Sequence, residues 1–330
     1  MAHEFEKGFF VGQSAWHGLG TVLDQVVDAD QAYRLAFPWH ILEQDIYSDI
    51  SQACTLPVGK DQIIPVKKES IKTHKLLIRS DNQEQLGVVT QGYQVLQPYA
   101  MAQWVQPLLD TGLFTLETGL CLRNGKRLVI VLKVKNSDFE VTKGDRVEQY
   151  LVIAQGTDGT LRVVISPSNI RVVCMNTLNA FLGSMGDNAI GIKHTSGMDL
   201  KLDIARDTLK ACYVAREKGI EAYKAMAARK LESKNELEKY AYKVLALPAP
   251  EGAMIEDRPR AVDFIMNSYE SGPGANLVGV KGTYWGAYNA VTDYVDHQRG
   301  RTRESSLDGS WFGEGAKIRQ RAYAAALDLN

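Results

Sequence analysis

The sequence of 330 residues has few cysteines, almost no net charge and no long apolar run. Its four cysteines, Cys54, Cys121, Cys174 and Cys212, lie far apart, which argues against a local zinc knuckle or a thioredoxin-type motif. Such cysteines are typical of small buried side chains in a reducing compartment. No segment approaches the roughly 20 apolar residues of a membrane span, and the N-terminus lacks the apolar run of a signal peptide. We therefore expect a cytoplasmic protein with no membrane partner.

The chain also has no large excess of positive or negative charge. The chain has 38 Lys and Arg against 39 Asp and Glu, for a formal net charge of −1 at pH 7. A nucleic-acid-binding surface must therefore come from local clusters of Lys and Arg, because the chain as a whole is not basic. The apolar share of 45% is ordinary for a globular protein.

Alternation of apolar and polar residues dominates the middle of the chain. The runs LFTLETGLCL and RLVIVLKVK flank Asn124-Gly125, the short-range pattern that most strongly predicts a tight hairpin. VEQYLVIAQ and TLRVVIS follow turns at K-G-D and T-D-G and predict a third and a fourth strand. Upstream, LLIRS and LGVVTQGYQVL flank the turn DNQ and predict another hairpin. These patterns indicate an antiparallel β-meander.

Helical periodicity is found on both sides of the meander. Ser166 and Pro167 favour a helix over residues 169–183, because Pro is tolerated in a first turn and Ser can cap it. The other predicted helices cover residues 29–36, 98–112, 199–228, 233–245, 260–269, 282–303 and 316–327. The expected fold class is α+β, with an antiparallel β-meander backed by helices and a helical C-terminal part.

The predicted helices and strands divide the chain into four expected parts. Residues 1–60, interrupted by several glycines, are expected to form an N-terminal arm, and residues 61–198 an antiparallel sheet core with helices. Residues 199–247 are expected to form a helical hairpin, and residues 255–330 a C-terminal helical part. The Pro-rich stretch LPAPEGAMIEDRP lies between the last two.

Motifs for catalysis or cofactor binding are incomplete. Gly274 to Gly279 begins like a phosphate-binding loop, but Val280 stands where that motif needs Lys. Asp293, Asp296 and His297 fall on one helical face, yet no third strong ligand completes a metal site, so we prefer a polar network paired with Arg. We assign no catalytic residue, no metal ligand and no cofactor, and the pattern is more typical of a binding protein than of an enzyme.

Basic residues form local clusters that suit phosphate binding. The candidate nucleic-acid-binding residues are Arg123, Lys126, Arg127, Arg162, Arg171, Lys193, Arg299, Arg301 and Arg303. Tyr93, Tyr284 or Trp285, if exposed, would stack on unpaired bases. The alternative interpretation is solvated surface charge, with Trp285 and Tyr288 as anchors in the core.

Four motifs, in order along the chain, resemble a known family. AWHGLGTVL, YLVIAQGTDG, RVVCMNTLN and YWGAYNAVTDYVDHQR are similar to segments of the phage/plasmid-like proteins of unknown function found in actinobacterial phages and plasmids. The resemblance implies a mobile genetic element as the context. Where these relatives tend to have Asn-Ser-His-Asp-Gly, this chain has residues 155–159 as Gln-Gly-Thr-Asp-Gly, and Thr157 in place of the histidine puts a catalytic role there in doubt.

The order of elements also resembles the core of single-strand annealing proteins of the RecT superfamily. That resemblance implies binding of the sugar-phosphate backbone in a basic groove, commonly by a homo-oligomeric ring or filament. We therefore expect a protein that binds single-stranded DNA, and anneals strands, in recombination or replication of a phage or plasmid. The alternative is a non-enzymatic protein whose partner is a host or phage protein, such as a defence factor that it neutralises. A third reading is an enzyme that uses Asp293, Asp296 and His297.

Overall fold

Two β-sheets and a set of α-helices make up the protein. A computed structural model describes residues 5–12, 20–48, 69–173, 176–177, 190–192, 203–248, 258–300, 309–311 and 313–328. Within these residues the fold is mixed α+β, with antiparallel pairing dominant and a helical C-terminal part, which confirms the predicted fold class. No helix of the described residues is long and apolar enough to cross a membrane.

The strands form one large sheet and one small sheet. They are β1 Phe5–Val11, β2 Thr21–Leu23, β3 Ile41–Ser48, β4 Glu69–Arg79, β5 Gln85–Thr90, β6 Phe114–Leu122, β7 Arg127–Val134, β8 Phe139–Thr142, β9 Asp145–Gly156, β10 Val163–Arg171, β11 Asn176–Thr177 and β12 Ile190–Ile192. The main sheet has the order β11-β10-β9-β7-β6-β1-β2, with β12 on β10 and β8 on β9. The small sheet has the order β3-β4-β5. Every pairing is antiparallel except that of β1 with β2.

The predicted meander is the centre of the main sheet. Leu120 lies opposite Val129, Val129 opposite Ala154, and Ala154 opposite Val164, so one apolar row crosses β6, β7, β9 and β10. Successive side chains of a strand point to opposite faces, and the neighbours of this row along each strand are apolar or glycine except for Gln155. Both faces of these strands are buried, which explains why their sequences are nearly continuously apolar.

The turn between β6 and β7 covers residues 123–126, around Asn124-Gly125 as the sequence predicts. Arg123 and Asn124 both have φ +54°, and the N–H of Gly125 donates to the carbonyl of Leu122 at 3.1 Å. Gly125 follows with φ +88°, and a Cβ there would lie 2.9 Å from the Trp39 ring and 3.0 Å from the Arg79 guanidinium. Glycine is therefore required at position 125 both for its backbone conformation and for space.

A helix predicted from Pro167 is wrong where the structure describes it, because residues 163–171 form β10. Pro167 lies opposite Leu151 of β9, and on the other side β12 and β11 pair only with residues 163–165 and 170–171. Among the described strands, Pro167 therefore has a paired neighbour on the β9 side only, which suits a residue that lacks an N–H. Residues 174–175 and 178–183 of that predicted helix lie outside the described residues.

The helices agree with the sequence patterns in most places. Their bounds are α1 Ala29–Ala36, α2 Pro98–Gln103, α3 Gln106–Asp110, α4 Asp203–Ala228, α5 Lys234–Leu245, α6 Arg260–Ser271, α7 Tyr284–Asp293 and α8 Glu314–Ala326. Asp28 and Gln31 form a reciprocal capping box at α1, and Ser233 caps α5. The single helix predicted over residues 282–303 is divided, since α7 is followed by a π-helical turn, Tyr294–Gln298, and then by Arg299 in an extended conformation.

Aromatic side chains hold the C-terminal helices together. The ring centroid of Tyr223 on α4 is 5.1 Å from that of Trp285, 6.4 Å from that of Tyr288 and 6.4 Å from that of Tyr323. Trp285 and Tyr288 are fully buried and Tyr284 is nearly so. The core-anchor interpretation of Trp285 and Tyr288 is therefore correct, and Tyr284 and Trp285 are not exposed for base stacking.

The stretch expected to be an N-terminal arm supplies strands to both sheets. β1 pairs with β6, and Phe9 of β1 is fully buried. The small sheet lies against the β9–β10 turn, where a Cβ on Gly87 would approach the Asp158 carbonyl oxygen to 2.8 Å. Residues 5–11 are thus part of the sheet core, while the division of the chain into four parts stays a prediction.

Replacing Gly125 with Ala should destabilise the protein more than the same change at Gly112. Both glycines have positive φ, which costs an alanine about 1 kcal/mol or more, but nothing lies within 4 Å of a Cβ at Gly112. We expect about 2–3 kcal/mol lost for Gly125→Ala and about 1 kcal/mol for Gly112→Ala, measured by urea unfolding. Equal losses would contradict the packing of Trp39 and Arg79 over the turn.

Candidate nucleic-acid interface

Three of the predicted phosphate-binding residues lie in or beside turns at the same end of the main sheet. Arg123 and Lys126 lie in the β6–β7 turn, and Arg162 lies directly before β10. The first residue of β7 is opposite Gly156, whose N–H donates to the carbonyl of Leu161 at 3.2 Å, so the two turns are neighbours. All three side chains are partly exposed. We call Arg123, Lys126 and Arg162 the tip cations.

Arg127, in contrast, is part of the interior. Its side chain is 7% exposed and donates to the Asp158 carboxylate at 2.8 Å, to the Thr160 hydroxyl at 2.6 Å and to the Lys126 carbonyl at 2.6 Å. Burial acts to raise the pKa of Asp158, but the hydrogen bonds from Thr160 and the charge of Arg127 outweigh it and hold that pKa below its usual value. This burial and these hydrogen bonds argue against the predicted contact of Arg127 with phosphate, which stays a prediction.

Thr157 ties the two turns together. Its side chain is buried, and its hydroxyl donates to the carbonyl of Gly125 at 2.7 Å. The N–H of Thr157 donates to the carbonyl of Lys126 at 3.2 Å. Where the resemblance suggests a histidine, this chain therefore has a hydroxyl that fixes the position of Lys126.

Arg171 is also buried, at the opposite end of β10. It is 1% exposed and donates through Nε and Nη2 to both oxygens of Asp145, at 2.7 and 2.9 Å. The indole N–H of Trp285 donates to the same carboxylate at 2.8 Å. We call Arg171, Asp145 and Trp285 the clamp. The burial of Arg171 and its ion pair argue against the predicted contact with phosphate, which stays a prediction.

The glycine-rich loop between α6 and α7 serves this clamp. The carbonyls of Pro273 and Gly274 accept hydrogen bonds from Arg171 at 3.2 and 3.1 Å. A phosphate-binding loop presents N–H groups to its ligand, whereas this loop presents carbonyl oxygens to a cation. At Arg171 the loop therefore presents hydrogen-bond acceptors to a cation, whereas an anion site would present donors.

The remaining predicted residues do not continue a path from the tip cations. Arg299 follows the π-helical turn among the C-terminal helices, and Lys193, Arg301 and Arg303 lie outside the described residues. Arg162 and Arg171 are separated by the length of β10, roughly 30 Å at about 3.3 Å per residue. Of the expected cationic track, the described residues bring together only the tip cations.

Asp293, Asp296 and His297 do not converge on a common point. Asp296 accepts hydrogen bonds from Arg319 and from the Ser310 hydroxyl, the latter at 2.7 Å. Asp293 accepts from the Ser268 hydroxyl at 2.7 Å, and His297 Nε2 lies 3.6 Å from its other oxygen. Burial raises the pKa of Asp293 above its usual value, against the effects of Ser268 and His297. The described residues contain no group of three or more His, Cys, Asp or Glu side chains that could share a metal ion.

A small cavity lies beside Asp293. Its volume is about 10 Å³, and its lining includes Arg171, Ser268, Asn289 and Asp293. Such a volume has room for about one water molecule. The cavity therefore offers no space for a substrate, and the enzyme reading gains no support from it.

Removing the carboxylate of the clamp should be severely destabilising. In Asp145→Asn the buried Arg171 loses its ion pair, which costs about 3–5 kcal/mol in comparable cases. The control Asp138→Asn changes an exposed carboxylate 3.8 Å from Arg146, and we expect at most about 0.5 kcal/mol there. Urea unfolding of both variants measures the difference. Similar losses in the two variants would contradict the assigned role of the clamp.

The sequence did not predict a polar cluster on the main sheet. Its members are Glu117, Lys133, Glu148 and Tyr150. Glu117 lies at a bulge in β6, where the register with β7 shifts between Leu116 and Thr118. The Tyr150 hydroxyl donates to Glu148 at 3.0 Å, and the Lys133 amine is 2.8 Å from the same carboxylate oxygen. A glutamate within an apolar strand pattern is the only sequence signal, and it does not reveal a bulge.

The two carboxylates of this cluster are shifted in opposite directions. Burial raises the pKa of Glu117, with the nearby Lys133 opposing that effect and Glu148 adding to it. Burial also acts to raise the pKa of Glu148, but hydrogen bonds from Lys133 and Arg146 outweigh it and lower that pKa. Glu148 therefore stays ionised at pH values where Glu117 begins to bind a proton.

These shifts predict opposite pH dependence for two substitutions. Because burial favours the neutral form of Glu117, the wild type loses stability as pH rises above the unfolded pKa of that group, about 4.3, towards its raised folded pKa. Glu117→Gln should therefore gain stability relative to wild type as pH rises through that window. Stability from Glu148 is fully present above its unfolded pKa and is lost as pH falls through its lowered folded pKa, so Glu148→Gln should be less stable than wild type by a constant amount above about pH 4.3, and that difference should shrink below this pH. Urea unfolding at several pH values tests both. Parallel profiles for the two variants would show that the assigned shifts are wrong.

The fold and interface define the protein as a mixed α+β protein whose main sheet has three partly exposed cations at one end. Residues 85–314 match the family described as Domain of unknown function (DUF932). The match covers more than half of the chain, and the protein belongs to this family. It includes the four central strands, the tip cations and the clamp. No curated protein and no solved structure matches the chain.

Proposed function

We propose that this protein binds single-stranded DNA through the tip cations. The observation that carries the proposal is that Arg123, Lys126 and Arg162, from two neighbouring turns, lie at the same end of the main sheet. The neighbouring carboxylate of Asp158 is paired with Arg127, which reduces its repulsion of a phosphate.

One feature favours an unpaired strand over a duplex. The tip cations come from short turns and not from a helix of the kind that enters a major groove. A strand bound through its phosphates alone is bound without sequence preference. Strand annealing, in recombination or replication of a phage or plasmid, is the finer form of the proposal and rests on the resemblance to annealing proteins. A homo-oligomer belongs to that finer form.

A second candidate function is binding of a host or phage protein. The small sheet exposes Leu42 and Val88, each more than half accessible, on the face that also carries Leu76. Neighbouring exposed apolar side chains of this kind are typical of protein contacts, and the net charge of −1 suits a protein partner. This candidate accounts for the apolar face, whereas DNA binding accounts for the tip cations.

The salt dependence of binding tests the leading proposal. A protein that neutralises three phosphates of a single strand should show a slope of log Kd against log salt of about 2, and each lost contact should lower it by about 0.7. We expect Lys126→Ala and Arg162→Ala each to weaken binding and lower that slope. Lys239→Ala, an exposed control on α5, should change neither. Fluorescence anisotropy with a labelled oligonucleotide of 20 thymidines gives these values.

Two outcomes would contradict the proposal. One is an absence of binding by the wild-type protein at low salt. The other is an unchanged slope in the Lys126→Ala/Arg162→Ala double variant, which would place any DNA contact elsewhere on the protein.

A further inference from the structure

Three ring side chains form a cluster on the helical layer beside the tip cations. Tyr33 on α1 and Tyr99 on α2 have ring centroids 5.1 Å apart at an interplanar angle of 79°. The ring of His40, in the connection that leads to β3, is 6.4 Å from that of Tyr33. Tyr99 is 43% exposed, and His40 is also exposed. The proposed function has so far made no use of these rings.

The cluster rests on a fixed support. Phe37, which is fully buried, packs its ring edge-on against Tyr33 at 6.4 Å. The backbone of His40 is held on both sides, because its N–H donates to the Ser80 hydroxyl and its carbonyl accepts from the Ser80 N–H, each at 2.9 Å. Rings held in this way lose little entropy when a ligand stacks on them.

The cluster is connected to the tip turn through Trp39. The Trp39 ring packs against Gly125 in the β6–β7 turn, between Arg123 and Lys126. His40, whose ring belongs to the cluster, is the next residue, about 3.8 Å along the backbone. Two consecutive residues thus contact the tip turn and the ring cluster.

The acidic side chain in the first turn of α1 is paired. Asp30, one turn before Tyr33 on α1, forms an ion pair with Arg34. Tyr93, which the sequence suggested as a stacking residue, is partly buried, and its hydroxyl donates to the carbonyl of Gly156 at 3.4 Å. Tyr99 is therefore the better exposed of these tyrosines.

We propose that Tyr99, supported by Tyr33 and His40, is the stacking site for a nucleobase of the single strand whose phosphates contact the tip cations. The inference rests on the proposed function and adds the chemical class that this subsite takes, a flat unpaired base. Base–aromatic stacking is strong and tolerant of sequence, which suits a protein that reads the backbone. The right angle between the Tyr33 and Tyr99 rings gives the base one face to stack on and one edge to contact.

Two strands of equal charge separate stacking from phosphate binding. One is an oligonucleotide of 20 thymidines, and the other has abasic sites throughout the same backbone. The variants are Tyr99→Leu, which removes the ring but keeps an apolar side chain, and the matched control Tyr99→Phe. Binding is measured by anisotropy in the same buffer, and thermal unfolding checks that both variants are folded.

We expect the wild type to bind the thymidine strand about tenfold more tightly than the abasic strand. Tyr99→Leu should lose about that tenfold preference by weakening binding of the thymidine strand alone, and Tyr99→Phe should keep it. Equal, salt-dependent binding of both strands by the wild type would overturn the stacking site and leave the phosphate contacts standing. Equal weakening of both strands in Tyr99→Leu would also overturn it, and binding of neither strand would end both proposals.

Discussion

The buried ion pair between Asp145 and Arg171 is the interaction on which the arrangement of this protein depends. It joins the first residue of β9 to the last residue of β10, and Trp285 attaches α7 to the same carboxylate. Burying two charges is favourable only if their remaining hydrogen-bonding groups are satisfied. The carbonyls of Pro273 and Gly274 complete the set, so the glycine-rich loop, the main sheet and the C-terminal helices are fixed together at one point.

Pairing with carboxylates separates the arginines of the described residues into two groups with different roles. Arg171 and Arg319 neutralise buried aspartates, and Arg127 cross-links two turns. Their positive charge does not reach solvent, which leaves the tip cations as the described part of the predicted interface. The proposed DNA path is short and has rings beside it, unlike the long groove that the sequence suggested.

Local patterns in the sequence predict the elements well and the long-range contacts poorly. Alternation around Asn124-Gly125 and the capping residues Asp28 and Ser233 act over a few residues, so the hairpin and the helix starts follow from them. The helix predicted from Pro167 is wrong because the place of this proline in a strand depends on which strands pair with it. The burial of Arg171 depends on a carboxylate 26 residues away, and that carboxylate bonds an indole 140 residues away. A local periodicity carries no information about contacts between residues so far apart in the sequence. The Tyr33–Tyr99 contact could not be predicted for the same reason.

Photo-crosslinking tests most directly where a strand lies on this protein. A single strand containing 5-bromodeoxyuridine would be irradiated with the full-length protein, and the crosslinked peptides would be identified by mass spectrometry. The account predicts crosslinks in the peptides that contain Tyr99, His40 and the turn from Arg123 to Lys126. Crosslinks confined to the C-terminal helices around Arg299, or to the exposed face of the small sheet, would contradict it.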